Sequence, residues 1–564
     1  MPLQPCDGAP VTASIRRIFG PGEHLQYRNP GEGRLKRGSR MKEVSSSTRR
    51  RPWLAALRGA LFALAAGFVV TGVETISTPA YAQSAAPEVV STAPAPEAAP
   101  AAAPAAEEGA IEAPAATVDK GDTAWMMVST VLVLLMIVPG LALFYGGLVR
   151  TKNMLSVLMQ VSTVTVIGMI VWAVVGYSLA FTDGGSHDLF FGGFSRLFLM
   201  DAGTDLSDNN VATFSTGVYI PEIVFVCFQM TFACITAALV LGSVAERVKF
   251  VGVCIFSVVW PILVYYPMAH MVWWWPGPDA VATHPKDAIA SGLIWSFGAL
   301  DFAGGTVVHI NSGIAAFVGC LVLGKRIGYR KEPMPPHSLT MTLIGTGLLW
   351  VGWFGFNAGS NLESNYYAGL AMANTFLATA AAGFSWMMFE WITKGKASLL
   401  GMCSGIVAGL VAVTPAAGFA GPMGAIILGL IVSPICLTMC SAVKNALGYD
   451  DALDVFGIHC IGGIIGAIGT GLVVNPAWGG AGVVDYVGCS EAGKVLATCP
   501  VAAYDLGFQV MAQAKGVLVT IAWSGIGSLI IWLVLRVLGL LRVSQETEVE
   551  GLDLNEHGEA AYHY

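Results

Sequence analysis

Asp301-Phe-Ala-Gly-Gly-Thr-Val-Val-His309-Ile-Asn311-Ser-Gly313-Ile and Asp454-Val-Phe-Gly-Ile-His459-Cys-Ile-Gly-Gly463-Ile share one pattern: an acid, a glycine, then a histidine deep in apolar text. A titratable side chain at membrane depth is costly, so it faces a partner or a conduction path rather than lipid. Two of them in matching surroundings, five apolar segments apart, point to a pore lined by an internal repeat. A transport protein is the reading they favour.

Composition sets the same frame. The chain has 564 residues, 55% apolar and only 12% charged, with 67 glycines and a mean hydropathy of +0.65. Soluble proteins carry about 25% charged residues, so this is a polytopic membrane protein. The net charge of -7 says little, because sign matters loop by loop in such a chain. Cys227, Cys234, Cys254, Cys320, Cys403, Cys436, Cys440 and Cys460 lie in apolar segments and read as small packing residues. Cys489 and Cys499 share one long loop; if it is exported they form a disulfide, and a free pair is the equal alternative.

Residues 1–40 are polar and basic, and read as an upstream extension. From Met41 the text becomes Thr48-Arg49-Arg50-Arg51-Pro52, an apolar run from Trp53 to Val73, then Ala80-Tyr81-Ala82. A basic region, an apolar region and an A-x-A site form a bacterial secretory signal peptide over 41–82. Residues 83–117 are an Ala/Pro/Glu linker too poor in large apolar groups to fold. A transmembrane domain over 118–540 and a tail over 541–564 complete the organisation.

Crossing about 30 Å of hydrocarbon takes about 20 apolar residues as a helix. Eleven such runs follow the linker, near 124–148, 154–181, 217–242, 250–275, 301–323, 339–359, 368–392, 398–418, 423–443, 454–474 and 512–538. The connections after the odd-numbered spans carry Arg150, Lys152, Arg247, Lys249, Lys325, Arg326, Arg330, Lys331, Lys394, Lys396 and Lys444. Those after the even-numbered spans carry only Arg196, Lys286 and Lys494. Positive charge collects inside, which puts the mature N-terminus outside and the C-terminus inside. An exported signal peptide demands the first independently.

Aligning His309 with His459 also aligns Gly313 with Gly463, Ile314 with Ile464 and Gly319 with Gly469. Phe144-Tyr-Gly-Gly closing span one is similar to Phe356-Asn-Ala-Gly closing span six. An offset of five spans turns the second copy upside down, and inverted repeats place their shared site near the midplane. The fold expected is all-α, a 5+5 inverted repeat plus one extra helix. His309 lies eight residues from Asp301, about 12 Å down span five, and His459 five residues from Asp454, about 7 Å up span ten. Both imidazoles then fall in the middle third and meet as a neutral pair sharing one hydrogen bond. A core histidine bonded to a carbonyl is the structural alternative, and the repeat favours the pore.

Aromatic residues gather at the outer ends. Phe228 and Phe232 are i,i+4 on one face of span three, Trp353, Phe356 and Ser360 form an i, i+3, i+7 stripe on span six, and Trp273 closes span four. Such faces attract a small cation at about 0.5–2 kcal/mol each, and a serine hydroxyl accepts its hydrogen bond. An interfacial belt accounts better for Trp274 and Trp275; the stripe alone serves both readings. Asp301 and Asp454 stand where a carboxylate caps a helix start, and Asp301 can also favour a cation at the outer mouth. There is no P-loop, no metal-ligand His/Cys spacing and no dinucleotide glycine loop after a strand, so no cofactor, metal, nucleic-acid partner or enzymatic role is expected.

Five motifs in order, Phe228-Gln229-x-x-Phe232-Ala233-Cys234-Ile235-Thr236, Ala269-His270-Met271-Val272-Trp273, Asp301 to His309, Gly352-Trp353-Phe354-Gly355-Phe356-Asn357-Ala358-Gly359-Ser360 and Asp454 to His459, closely resemble the ammonium transporter branch of the ammonium transporter/Rh family. The similarity runs over residues 119–564. It implies an eleven-helix protomer of a homotrimer in the bacterial inner membrane, with a pore in each subunit. By position, Trp273, Phe232 and Ser360, with Phe228 beside them, match an outer ammonium recruitment site, and Phe232 and Phe356 match a phenylalanine gate. Trp353 matches a pore wall, His309 and His459 a twin-histidine pair, and Asp301 the acid beneath the recruitment site. Rh proteins, the gas-channel alternative, lack the outer tryptophan–serine site. The loops 276–300 and 475–510 are long for the family. The tail Glu550-Gly-Leu-Asp-Leu-Asn-Glu-His-Gly-Glu-Ala-Ala-Tyr562 resembles the family's tail, which implies a docking face for a PII nitrogen-signalling protein. An ammonium sensor signalling through that tail is the alternative function. If the signal-peptide reading is correct, N-terminal sequencing of the membrane form starts near Gln83; recovery of residues 1–40 refutes it.

Overall fold

The computed structural model describes residues 117–202, 209–283, 290–486 and 500–563. The expected signal peptide, nearly all of the linker, and the Cys489 and Cys499 pair lie outside the described residues.

Among the described residues, ten helices are long and apolar enough to cross a membrane: α1 (Lys120–Leu148), α2 (Thr151–Phe181), α3 (Glu222–Val244), α4 (Phe250–Trp273), α5 (Gly305–Leu323), α6 (Leu339–Gly359), then Leu399–Ala416, Pro422–Leu447, Phe456–Val473 and Leu506–Val537. Between the sixth and seventh of these lies Tyr366–Lys394, a helix of 29 residues without their sustained hydropathy. We number it α7 and the last four α8 to α11. Closed helices are what a bilayer requires, because each backbone N–H and C=O must find its partner within the segment. Where α1 bends, Pro139 lies inside the helix and Val138 leaves helical geometry, as a missing N–H and a ring clash dictate.

Without water to drive apolar groups together, helices in lipid associate through small residues that let backbones approach. Between α1 and α6 a Cβ added at Gly352 falls 2.5 Å from the Leu132 carbonyl oxygen, and one at Gly355 falls 2.6 Å from that of Ser129. Between α7 and α9 a Cβ at Gly429 falls 2.3 Å from the Ala378 carbonyl oxygen. The perimeter reads oppositely: Met423, Ile427 and Ile431 on α9, and Met511, Leu518, Ile530 and Val534 on α11, are exposed, as suits side chains that meet lipid.

The connections at the two ends differ. At one face β1 (Thr117–Val118), β2 (Asn210–Ala212) and β3 (Val218–Pro221) form a small sheet in the order β1-β3-β2. The opposite, basic face is knotted by ion pairs. Glu246, 1% exposed, accepts from Arg150 Nε at 2.9 Å and Arg326 Nη1 at 2.6 Å, and Arg326 also pairs with Asp450 at 2.8 Å. The tail folds onto this network. Its Glu548 accepts from the Ile327 N–H at 2.6 Å, its Leu552 N–H donates to Asn153 Oδ1 at 2.9 Å, and its Asp553 accepts from the Ser156 N–H at 2.8 Å. It therefore bridges the start of α2 and the connection that follows α5.

Burial alone would raise the carboxyl of Glu246, but Arg326 and Arg150 outweigh it and hold the group down to about 2, from 4.5. A depressed carboxylate stabilises the fold above its unfolded value and loses that contribution as pH falls through its folded one. Glu246→Gln should therefore cost about 3 kcal/mol at neutral pH by stranding buried guanidinium groups. Thermal unfolding of the purified chain checks this: the gap to wild type should close as pH falls from 4.5 towards about 2.

Candidate functional site

α5 and α10 (Phe456–Val473) each open on a π-helical turn, Gly305–Ile310 and Phe456–Cys460, and each turn carries a histidine. Such turns recur where a side chain must be aimed rather than merely packed. The helices cross very closely. A Cβ at Gly313 falls 2.5 Å from the Cys460 nitrogen, and one at Gly463 falls 2.9 Å from the Gly305 carbonyl oxygen and 3.2 Å from His309 Cβ. As one chain runs from His309 to Gly313, its neighbours on the other run backwards from Gly463 to Cys460. The crossing is antiparallel and reciprocal, the geometry of an inverted repeat. It sets His309 Nδ1 3.2 Å from His459 Nδ1.

The start of α5 is held by Asp301. Its Oδ1 accepts from Gly304 N–H at 2.9 Å and Gly305 N–H at 2.5 Å, and its Oδ2 from Thr306 N–H at 2.8 Å, Val307 N–H at 3.2 Å and the Thr306 hydroxyl. Gly304, at φ 112°, allows the backbone to turn those donors inward; an L side chain is strained there. The Asp301 carbonyl in turn accepts from Trp273 Nε1 at 2.9 Å. One residue thus caps a helix against its dipole and sets an indole.

Beyond the histidines the aromatic residues assemble in order. Phe232 stacks on Phe356 with ring centroids 4.1 Å apart and 12° between planes, and Trp273 meets Phe232 edge-on at 5.9 Å. Phe228 lies 4.9 Å from Phe232. Ser360 donates its hydroxyl to the Phe356 carbonyl at 2.8 Å, which leaves its oxygen lone pairs free to accept. Inward of the stack, Trp353 lies nearly parallel to His309 at 5.4 Å and 16°. Its Nε1 donates to the Thr414 hydroxyl at 2.9 Å, which stops the indole from turning.

Between Phe356, Trp353, His309 and His459, with Ile235, Leu239 and Val407 around them, about 10 Å³ is open. That is the threshold for a single water-sized molecule. His309 Nε2 is buried there without a hydrogen-bond partner among the described residues. The Nδ1–Nδ1 bond needs one donor and one acceptor, so the two rings take different tautomers or share one extra proton. The structure brings Phe228, Phe232, Trp273, Phe356, Ser360, Trp353, His309 and His459 into one series of contacts, with the Asp301 carbonyl bonded to Trp273.

Other participants escaped that reading. Thr414 and Asn357, 3.2 Å apart, fix Trp353 but carry no distinctive spacing. Asp454 does not cap α10 with its side chain, as its position suggested. It sits at φ 60° and pairs with Lys444 at 2.6 Å, while Asp451 Oδ2 accepts from the Phe456 N–H at 2.8 Å. Three acids within five residues, Asp450, Asp451 and Asp454, offer a sequence no means of choosing among them.

Comparison with known proteins decides the family. The model described as Ammonium Transporter Family matches residues 124–562. The chain belongs to the ammonium transporter family. It is 43% identical over 447 residues to an ammonium transporter of Aquifex aeolicus, covering 79% of this chain and 94% of the relative. The ammonium transporter of Bacillus subtilis is 41% identical over 442 residues, 78% of this chain and 98% of the relative. Among solved structures, Candida albicans Mep2 superposes with a TM-score of 0.64 at 33% identity, over 79% of this chain and 91% of that one. A structure titled Sensor Amt Protein gives 0.65 at 25% identity, over 78% and 98%. Family membership carries transport of ammonium across a membrane rather than catalysis.

His309 and His459 come within hydrogen-bond distance where Gly313, lacking a side chain, lets α5 lie against the Cys460 backbone. Gly313→Ala drives a methyl into the Cys460 backbone and should cost about 1–3 kcal/mol by overpacking, with ammonium flux falling alongside. Gly525→Ala, whose added Cβ meets only Ile314 at 3.5 Å, should leave both unchanged. Thermal unfolding and flux in proteoliposomes read out the pair.

Proposed function

We propose that NH4+ is recruited on the outer face by Trp273, Phe232, Phe228 and Ser360, deprotonates near the Phe232–Phe356 stack, and passes as NH3 along His309 and His459. The observation that carries this is a closed aromatic stack directly above a histidine pair in a space for one small molecule. Magnitudes decide the charge state. The aromatic faces offer about 0.5–2 kcal/mol each, whereas a bare ion in an apolar channel costs on the order of tens of kcal/mol. A cation is therefore favoured at the mouth and excluded beyond it. Ammonium sheds its charge by losing a proton and potassium has none to lose, which supplies selectivity. The released proton moves over the Nδ1–Nδ1 hydrogen bond, so transport is electrogenic.

The same reading has Asp301 hold the vestibule and counter the incoming charge, and Trp353 keep the His309 ring flat against the path. The basic connections support an N-out, C-in protein of the bacterial inner membrane with α7 as an eleventh span. The outward apolar faces suit a homotrimer in lipid. The tail, bound across the basic connections, is placed to feel a PII-type partner docking there. A sensor without flux is not favoured, because the relatives covering nearly their full length are named as transporters.

Reconstituted vesicles on a solid-supported membrane test the relay. Wild type should give methylammonium and ammonium currents, and the His309→Ala, His459→Ala double variant should lose the current or its discrimination against potassium. Unchanged current with selectivity intact would refute the role given to the histidines.

A further inference from the structure

Five glutamates are buried among the described residues, and four of them pair with a base. Glu246 meets Arg150 and Arg326, Glu222 meets Arg196 at 3.0 Å, Glu390 meets Lys394 at 3.0 Å and Glu548 meets Arg542 at 2.8 Å. The fifth, Glu363, is 5% exposed and forms no ion pair among the described residues. Its carboxylate meets neutral donors instead. Oε1 accepts from the Phe214 N–H at 3.2 Å and the Ser215 N–H at 2.9 Å, and Oε2 from the Ser215 hydroxyl at 2.8 Å and Asn365 Nδ2 at 2.8 Å. Asn365 is fixed in that sense, because its Oδ1 caps α7 by accepting from the Tyr367 N–H at 2.9 Å. Both oxygens of Glu363 therefore act as acceptors, the pattern of a carboxylate.

Neutral donors spread a charge without cancelling it, and a buried charge without a counter-ion is costly. Anchoring the turn between β2 and β3 accounts for the hydrogen bonds and leaves the uncancelled charge unexplained. Asp122, which accepts from the Ser364 N–H at 2.7 Å, is no parallel: it stands in the first turn of α1, where the dipole favours an acid. Glu363 lies between the end of α6 and the start of α7, which bear opposite partial charges. Its position supplies the account. Ser360 is three residues before it, and the Leu362 N–H donates back to the Gly359 carbonyl at 2.9 Å, which keeps the chain folded against the end of α6. On its other side it holds Phe214, whose ring stacks on Trp275 at 6.3 Å and 19°, two residues beyond Trp273. We propose that Glu363 is the fixed counter-charge for the cation at Ser360, Trp273 and Phe232, and that it sets the affinity of the outer mouth. This rests on the recruitment of NH4+ at those residues. The charge acts on NH4+ and not on NH3, and it acts alike on any small cation. It therefore raises affinity, while selection against potassium stays with deprotonation at the phenylalanine stack.

Ammonium currents of the full chain on a solid-supported membrane, titrated at low and high sodium chloride, test this. The wild-type half-saturating concentration should rise with salt, because screening weakens a charge acting at a distance. Glu363→Gln keeps an acceptor for the Phe214 and Ser215 N–H groups and removes the charge. It should raise the half-saturating concentration at low salt by about threefold, the effect of one partly screened unit charge. It should lower the saturating current far less, and flatten the salt dependence. Glu363→Asp, with the charge on a shorter arm, should retain the wild-type salt dependence. A glutamine variant with wild-type half-saturation overturns the proposal. So does a raised value with the salt dependence intact, which is the mark of a lost anchor alone. Ser360→Ala separates this proposal from the recruitment reading. If it raises the half-saturating concentration and Glu363→Gln does not, the counter-charge falls and the recruitment site stands; if neither does, both fall. Where the glutamine variant does not fold, a wild-type half-saturation indifferent to salt still refutes the assignment.

Discussion

The site depends on one crossing, at which α5 and α10 meet backbone against backbone. Gly313 lies against the backbone at Cys460 and Gly463 against the backbone at Gly305, so α5 and α10 cross without side chains between them. Only at that spacing do two side chains from helices 150 residues apart share a 3.2 Å bond. The π-helical turns add the second condition. A regular α-helix advances each side chain by a fixed rotation, and an extra residue in the turn re-aims it. Together these turn two ordinary core positions into a polar line through apolar surroundings.

Everything outward of that crossing sets what reaches it. Asp301 holds the first turn of α5 by its carboxylate and Trp273 by its carbonyl, so the mouth and the histidines share a support. Thr414 performs the same service for Trp353. The path is apolar in its walls and polar only along one edge. That arrangement disfavours an ion and tolerates a small neutral molecule able to give and take hydrogen bonds. The basic face is built on the opposite principle: Glu246, Arg326 and Asp450 pair with one another, Arg247 donates to backbone carbonyls, and the tail is laid over them.

Legibility followed periodicity. The apolar runs marked nearly every helix, and i,i+4 and i+3,i+7 spacing placed Phe228 with Phe232 and Trp353 with Phe356 and Ser360 before any coordinates. α7 is the instructive exception. Its glycines, alanines and polar residues dilute its hydropathy, because one face packs against α8 and α9 through small side chains while Phe376, Phe384 and Trp391 leave the other exposed. Thr414 and Asn357 were invisible because a single hydroxyl or amide in an apolar segment takes its role from whatever packs opposite. Asp451 and Asp454 exchanged roles because a left-handed backbone at Asp454 turns its side chain away from the helix start.

By itself the sequence determined that the chain spans a membrane many times, that its two halves are related, and that two histidines lie at matching depth. Those facts are carried by composition and by spacing along one segment, which a linear text records in full. Tertiary structure alone decided that the histidines touch through Nδ1, that the phenylalanines stack at 4.1 Å, and which acid caps which helix. Each of these is a contact between segments whose separation is set by glycine-on-backbone packing and by the turn of one helix against another. Neither quantity has a period to read.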